Sequence, residues 1–167
     1  MANDSLHLLA TAVLDACRAK QLRLATAESC TGGMVAAALT DIAGSSDIVE
    51  RGLVTYSNEA KSALLGVPLA LIKQHGAVSA EVAGAMATGA LAHAPVDLAV
   101  GITGIAGPGG GSREKPVGLV WFGIAAKGSD AKTESHVFRG DRAAVRAAAT
   151  RRALELLLGA ANASNGR

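Results

Sequence analysis

Four stretches of the chain combine residue types that could do chemistry. The first is Glu28-Ser29-Cys30-Thr31-Gly32-Gly33. A serine at a strand-to-helix turn can be exposed for attack, and the N–H groups that follow can hold a tetrahedral oxyanion. The Gly-x-Ser-x-Gly elbow is absent, because Ala27 and Thr31 occupy its glycine positions. The same residues would also serve if Ser29 or Thr31 only capped a helix. Cys30 is a rival nucleophile by type, although a lone cysteine beside a helix start equally suits a small buried hydrophobe. The second stretch is Val54-Thr-Tyr-Ser-Asn-Glu-Ala-Lys61, which holds the only tyrosine, Tyr56. A lysine whose pKa is lowered by burial can deprotonate a serine. The spacing is not Tyr-x-x-x-Lys, since Glu59 and Ala60 stand three and four residues after Tyr56. A solvated helix face for Lys61 is the competing reading.

The third stretch, Gly101-Ile-Thr-Gly-Ile-Ala-Gly-Pro-Gly-Gly-Gly111, follows an apolar run. With Thr103 at the strand's end, and Gly104, Gly107, Gly109 and Gly110 lacking a Cβ, it can approach a ribose or phosphate closely. It contains neither a Walker loop nor Gly-x-Gly-x-x-Gly; counted from Gly107 the sixth position is Ser112, and from Gly109 it is Glu114. The fourth, Phe138-Arg-Gly-Asp-Arg-Ala-Ala-Val-Arg146, sets Arg142 and Arg146 on one helix face. Two guanidinium groups there could clamp a phosphate, or simply be solvated. His7, His75, His93 and His136 are scattered, so no metal site is expected, and Asp97 reads as a loop residue.

These residues need elements to position them. Half of the 167 residues are hydrophobic, which fits a packed domain, and only 2% are aromatic, which leaves little for base stacking. A net charge of +2 is also weak for a polyanion, so no nucleic-acid partner is expected. Cys17 and Cys30 form no disulfide framework and suit a reducing cytoplasm. The first residues do not read as a signal peptide and no run would span a bilayer. Helical spacing covers Ser5 to Lys20, Met34 to Leu39, Asn58 to Leu65, Leu69 to Gln74, Ser79 to His93 and Asp141 to Leu158. Strands are predicted over Leu22 to Ala27, Ile48 to Tyr56, Asp97 to Thr103, Val117 to Ala126 and Thr133 to Phe138, the last two as an antiparallel hairpin. The pattern predicts an α/β fold, a three-layer α/β/α sandwich with a mixed sheet, as a single domain over 1–167 with a frayed tail at 160–167. The small-residue helix from Ala80 to Ala94 suits packing against a second copy, which would give a homodimer.

Thr26-Ala-Glu-Ser-Cys-Thr-Gly-Gly33, Gly52-Leu-Val-Thr-Tyr-Ser-Asn-Glu-Ala-Lys61, Gly76-Ala-Val-Ser79, Gly101 to Gly110 and Pro116-Val-Gly-Leu-Val occur in this order. From about residue 5 to 160 the chain resembles the CinA C-terminal domain family. The resemblance implies hydrolysis of the carboxamide of nicotinamide mononucleotide to nicotinate mononucleotide and ammonia, without metal or cofactor. Ser29 would attack, Lys61 would take its proton, Tyr56 would orient or relay it, and N–H groups around Thr31, Gly32 and Gly33 would steady the oxyanion. Thr103, the glycine-rich loop, Arg142 and Arg146 would hold ribose and phosphate. Long members of that family carry a further N-terminal domain, whose activity is not implied here. Other readings are a hydrolase of another small amide, a nucleotide-binding regulatory module without catalysis, and a DNA-recombination accessory, the last disfavoured by charge and composition.

Overall fold

In the computed structural model, which describes residues 2–167, period-two alternation along the strands divides the apolar residues between two sheet faces. The elements are α1 (Ala2–Ala19), β1 (Leu24–Glu28), α2 (Met34–Thr40), β2 (Val49–Val54), α3 (Asn58–Leu65), α4 (Leu69–His75), α5 (Ala80–Ala92), β3 (Leu98–Gly104), β4 (Leu119–Ala126), β5 (Lys132–Val137) and α6 (Arg142–Ala163). The sheet order is β2-β1-β3-β4-β5; the first three strands are parallel, and β4 and β5 complete it antiparallel. Leu98, Val100, Ile102, Val120 and Phe122 face one side, packed with Val13 and Leu14 of α1 and Leu154 and Leu157 of α6. Ala27 and Ala99 face the other, beneath Leu65, Val82, Met86 and Ala90 of α3 and α5. This is the expected three-layer sandwich with a mixed sheet.

Helix α5 lies unusually close to the sheet. Gly101 and Gly123 are register partners on β3 and β4. A Cβ on Gly101 would sit 2.6 Å from the Ala83 carbonyl oxygen, and one on Gly123 would sit 2.2 Å from it. One face of α5 is therefore packed inside the chain, where Ala83, Ala87 and Ala90 are fully buried, while Gly84 and Ala85 on another face stay half-buried.

The C-terminus also differs from expectation. Helix α6 runs through Gly159 to Ala163, because Ala153, Leu157 and Ala161, spaced by four, extend one buried stripe. Burial of that stripe outweighs the roughly 1 kcal/mol by which glycine weakens a helix. The residues beyond are docked rather than frayed. The Lys20 ammonium donates to the carbonyls of Asn162 and Ser164. Arg167 pairs with Asp97 at 3.0 Å, and the same carboxylate accepts the Arg23 N–H at 2.8 Å. Asp97 is thus a buried anchor, not a plain loop residue. Among the described residues no helix is long and apolar enough to cross a membrane.

Two alanine substitutions separate close approach from mere helix propensity. Gly123→Ala is expected to cost about 1–3 kcal/mol or more by overpacking, seen as a lowered melting temperature. Gly159→Ala, where an added Cβ meets nothing within 4 Å, is expected to leave the melting temperature unchanged or raise it.

Candidate active site

The site is built where β1 ends. Thr26 and Glu28 point toward α2, so Ala27 and Ser29 point to the opposite face, toward α3 and α5. The Ser29 N–H remains hooked to the Ile102 carbonyl of β3 at 2.9 Å, and the chain then turns through Gly32 and Gly33, at φ +59° and +102°, into α2. On the other side, Ser57 caps α3 by accepting the Ala60 N–H, and the first turn of that helix aims Lys61 back under the sheet.

Lys61 Nζ lies 3.1 Å from Ser29 Oγ, with the lysine 1% and the serine 8% exposed. The ammonium also reaches the Thr55 carbonyl at 3.0 Å and the Tyr56 carbonyl at 3.5 Å. Burial lowers the Lys61 pKa from its ordinary 10.5, only partly offset by the nearby Cys30 thiol. A neutral amine in this position has two N–H groups for the two carbonyls, and its lone pair is left for the Ser29 hydroxyl proton. The arrangement can therefore generate a serine alkoxide without histidine. Cys30 belongs to the core on the α1–α6 side, and burial pushes its thiol up to about 11. Its side chain packs within that core.

The turn supplies donors selectively. The Gly32 N–H is spent on the Ser29 carbonyl and the Met34 N–H on that of Thr31. Those of Thr31 and Gly33 have no acceptor among the described residues. Sequence reasoning gave Glu28 no role, yet it is 1% exposed and its carboxylate accepts from Thr31 Oγ1 at 2.7 Å, Val35 N–H at 2.9 Å and Ala36 N–H at 3.0 Å. A carboxylate ending an apolar strand just before a run of small polar residues was the available signal.

Both arginines reach the site from α6. Arg146 donates from Nε to the Cys30 carbonyl at 3.0 Å and from its guanidinium to that of Thr31, so it braces the turn after Ser29. Arg142 bridges the Gly107 carbonyl and the Tyr56 hydroxyl, each at 2.9 Å. The Tyr56 side chain is 61% exposed and spends its hydroxyl on Arg142; it meets Lys61 only through its backbone carbonyl. Thr103 is buried and donates to the Ala77 carbonyl at 2.8 Å, so it ties down the α4–α5 loop instead of lining an open cleft. Gly104 packs on Val120 at the end of β3, whereas Gly109 and Gly110 are exposed on the loop. A cleft of about 620 Å³ opens between that loop and α6, lined by Ala106, Pro108, Val117, Asp141, Arg142 and Arg146. A slightly larger groove, about 650 Å³, lies at the other end of the sheet beside the β4–β5 turn, away from Ser29. Among the described residues no three His, Cys, Asp or Glu side chains gather as a metal would require.

Fold and site together define an α/β/α sandwich with a buried serine–lysine pair at the carboxyl end of its first strand. The CinA C-terminal domain family matches residues 6–161, and the chain belongs to that family. It is 53% identical over 157 residues, 94% of this chain and 95% of the relative, to the nicotinamide-nucleotide amidohydrolase PncC of Escherichia coli strain K12. A CinA-like protein of Geobacter sulfurreducens is 53% identical over 147 residues, 88% of this chain but 35% of that longer protein. The crystal structure of the competence/damage inducible protein CihA from Agrobacterium tumefaciens superposes with a TM-score of 0.90 at 45% identity, covering 92% of this chain and 94% of that one.

Burying Lys61 has a stability consequence of definite sign. With its folded pKa below 10.5, the native state binds fewer protons than the unfolded state between the two values, so stability rises with pH across that window. Lys61→Met is expected to melt at a higher temperature than the wild type at neutral pH. In thermal melts over a pH series, that advantage should shrink as pH approaches 10.5.

Proposed function

We propose that this protein hydrolyses the carboxamide of nicotinamide mononucleotide, giving nicotinate mononucleotide and ammonia, with Ser29 as nucleophile and Lys61 as its base. The observation that carries the reading is the 3.1 Å contact between two side chains withdrawn from water. The likeness to an E. coli amidohydrolase over nearly the whole chain supports the substrate class.

Lys61 takes the Ser29 proton as Oγ forms a bond to the amide carbon, and the carbonyl electron pair moves onto oxygen. The free N–H groups of Thr31 and Gly33 donate hydrogen bonds to that oxyanion. Lys61 returns the proton to the nitrogen, the C–N bond breaks, and ammonia leaves an acyl-enzyme. Water, deprotonated by the same amine, then cleaves the ester and restores the Ser29 hydroxyl. The glycine-rich loop around Gly107 to Gly110 and the unspent N–H groups of Arg142 face the cleft, where ribose and phosphate are held; Arg146 adds positive charge while keeping the turn in place. Tyr56 acts here through its hydroxyl on Arg142, orienting that guanidinium. The reaction takes place in the cytoplasm and involves neither a metal nor a nucleic-acid partner.

Ammonia release from nicotinamide mononucleotide, followed with EDTA present, tests this directly. Wild type should turn over and Ser29→Ala should lose about 10³-fold or more in kcat while still binding the nucleotide. Wild-type binding without ammonia would instead mark a regulatory module, and turnover of other carboxamides alone would change the substrate. In a pH–rate series, kcat/KM should rise with pH as Lys61 loses its proton, with the rise centred below 10.5. Lys61→Met should abolish that limb.

A further inference from the structure

We propose that Glu28 is the positioning residue of the nucleophile turn: its buried carboxylate fixes the direction in which Ser29 leaves the sheet. The proposal rests on the reading of Ser29 as nucleophile. A carboxylate withdrawn from water is costly unless donors surround it. Glu28 collects donors from all three parts of the local structure. Thr26 of β1 approaches at 3.4 Å, Thr31 of the turn donates at 2.7 Å, and the Val35 and Ala36 N–H groups of α2 donate at 2.9 and 3.0 Å. Hydrogen bonds to an ionised acceptor are shorter and stronger than neutral ones. Because neighbouring strand residues point to opposite faces, pinning the Glu28 side chain against α2 directs the Ser29 side chain toward Lys61. The Thr31 hydroxyl held by Glu28 and the Thr31 carbonyl held by Arg146 fix the same peptide from two sides. Glu28 touches neither the cleft nor the Lys61 amine in any hydrogen bond, so it acts through Ser29 and the turn.

Glu28→Gln keeps the shape but places an amide N–H₂ where an acceptor stood, so one backbone donor faces a donor. The experiment reads kcat and KM for nicotinamide mononucleotide, together with the rate at which phenylmethylsulfonyl fluoride sulfonylates Ser29. In that reaction Oγ attacks sulfur, fluoride leaves, and the proton passes to Lys61, so it reports the nucleophile's geometry without the nucleotide. Misplacement of a reacting group by about 1 Å costs on the order of 10²-fold. For Glu28→Gln, kcat and the sulfonylation rate should fall together by about 10- to 100-fold, with KM changed less than about 3-fold, in a protein that melts well above the assay temperature. Thr31→Val, which removes one donor and leaves the carboxylate, should show the same split with a smaller loss, and carries the test if Glu28→Gln does not fold. Sulfonylation of both variants at the wild-type rate would overturn the proposal, as would a loss that merely follows the unfolded fraction or falls on KM and kcat alike. A wild type whose Ser29 is not sulfonylated, with Ser29→Ala still active, would remove the nucleophile reading and this proposal together.

Discussion

A lysine amine is among the costlier groups to withdraw from water, and Lys61 is 1% exposed. The elements around it are arranged to allow that. Helix α3 is closed at both ends, by Ser57 at its start and by Gly66 at φ +66° at its finish, so Lys61 departs from a fixed helix. The end of α3 seats against α5 where the latter has no side chain: a Cβ on Gly89 would lie 2.0 Å from the Leu65 carbonyl oxygen. The carbonyls of Thr55 and Tyr56, freed from strand pairing where β2 ends, then receive the amine. Burial depresses the lysine pKa, and the same burial brings the amine within reach of Ser29. The lowered pKa and the close contact with Ser29 have one cause.

The location follows from topology. β1 lies between β2 and β3, both parallel to it, so the chain leaves β1 toward one side and returns on the other. Such a switch point opens a crevice outside the carboxyl ends of the strands. Ser29 sits at that end of β1 and Thr55 at that end of β2, while the glycine-rich loop leaves that end of β3. The antiparallel β4 and β5 extend the sheet without adding side chains to the Ser29–Lys61 contact.

Charge is distributed in layers around the turn after Ser29. Glu28 lies beneath it, between β1 and α2. Arg146 grips it from α6 through the Cys30 and Thr31 carbonyls. Arg142 stands further out, joining Tyr56 to the glycine-rich loop. Both arginines line the cleft, and each is tied to the protein, Arg146 to the turn after Ser29 and Arg142 to the glycine-rich loop and Tyr56. Lys115 adds a further tie, reaching the His75 carbonyl at 2.7 Å and fastening the loop to the end of α4.

Much of this was legible in the sequence because it is local. Apolar spacing placed the strands and helices, and a hairpin followed from two β-rich runs around Lys127-Gly-Ser-Asp130. Ser29 and Lys61 could be named as residue types able to react, but a solvated lysine fitted the same residues, since burial is a property of what packs above. Only the tertiary structure decided that Lys61 is buried beside Ser29 and Cys30 is packed away from it. It also decided that Glu28 binds the turn, Thr103 is committed to Ala77, α5 packs directly onto Gly101 and Gly123, and the C-terminus is docked on Asp97. Each of these depends on contacts between segments far apart in the chain, where the same side chain has a different environment according to which face it is given.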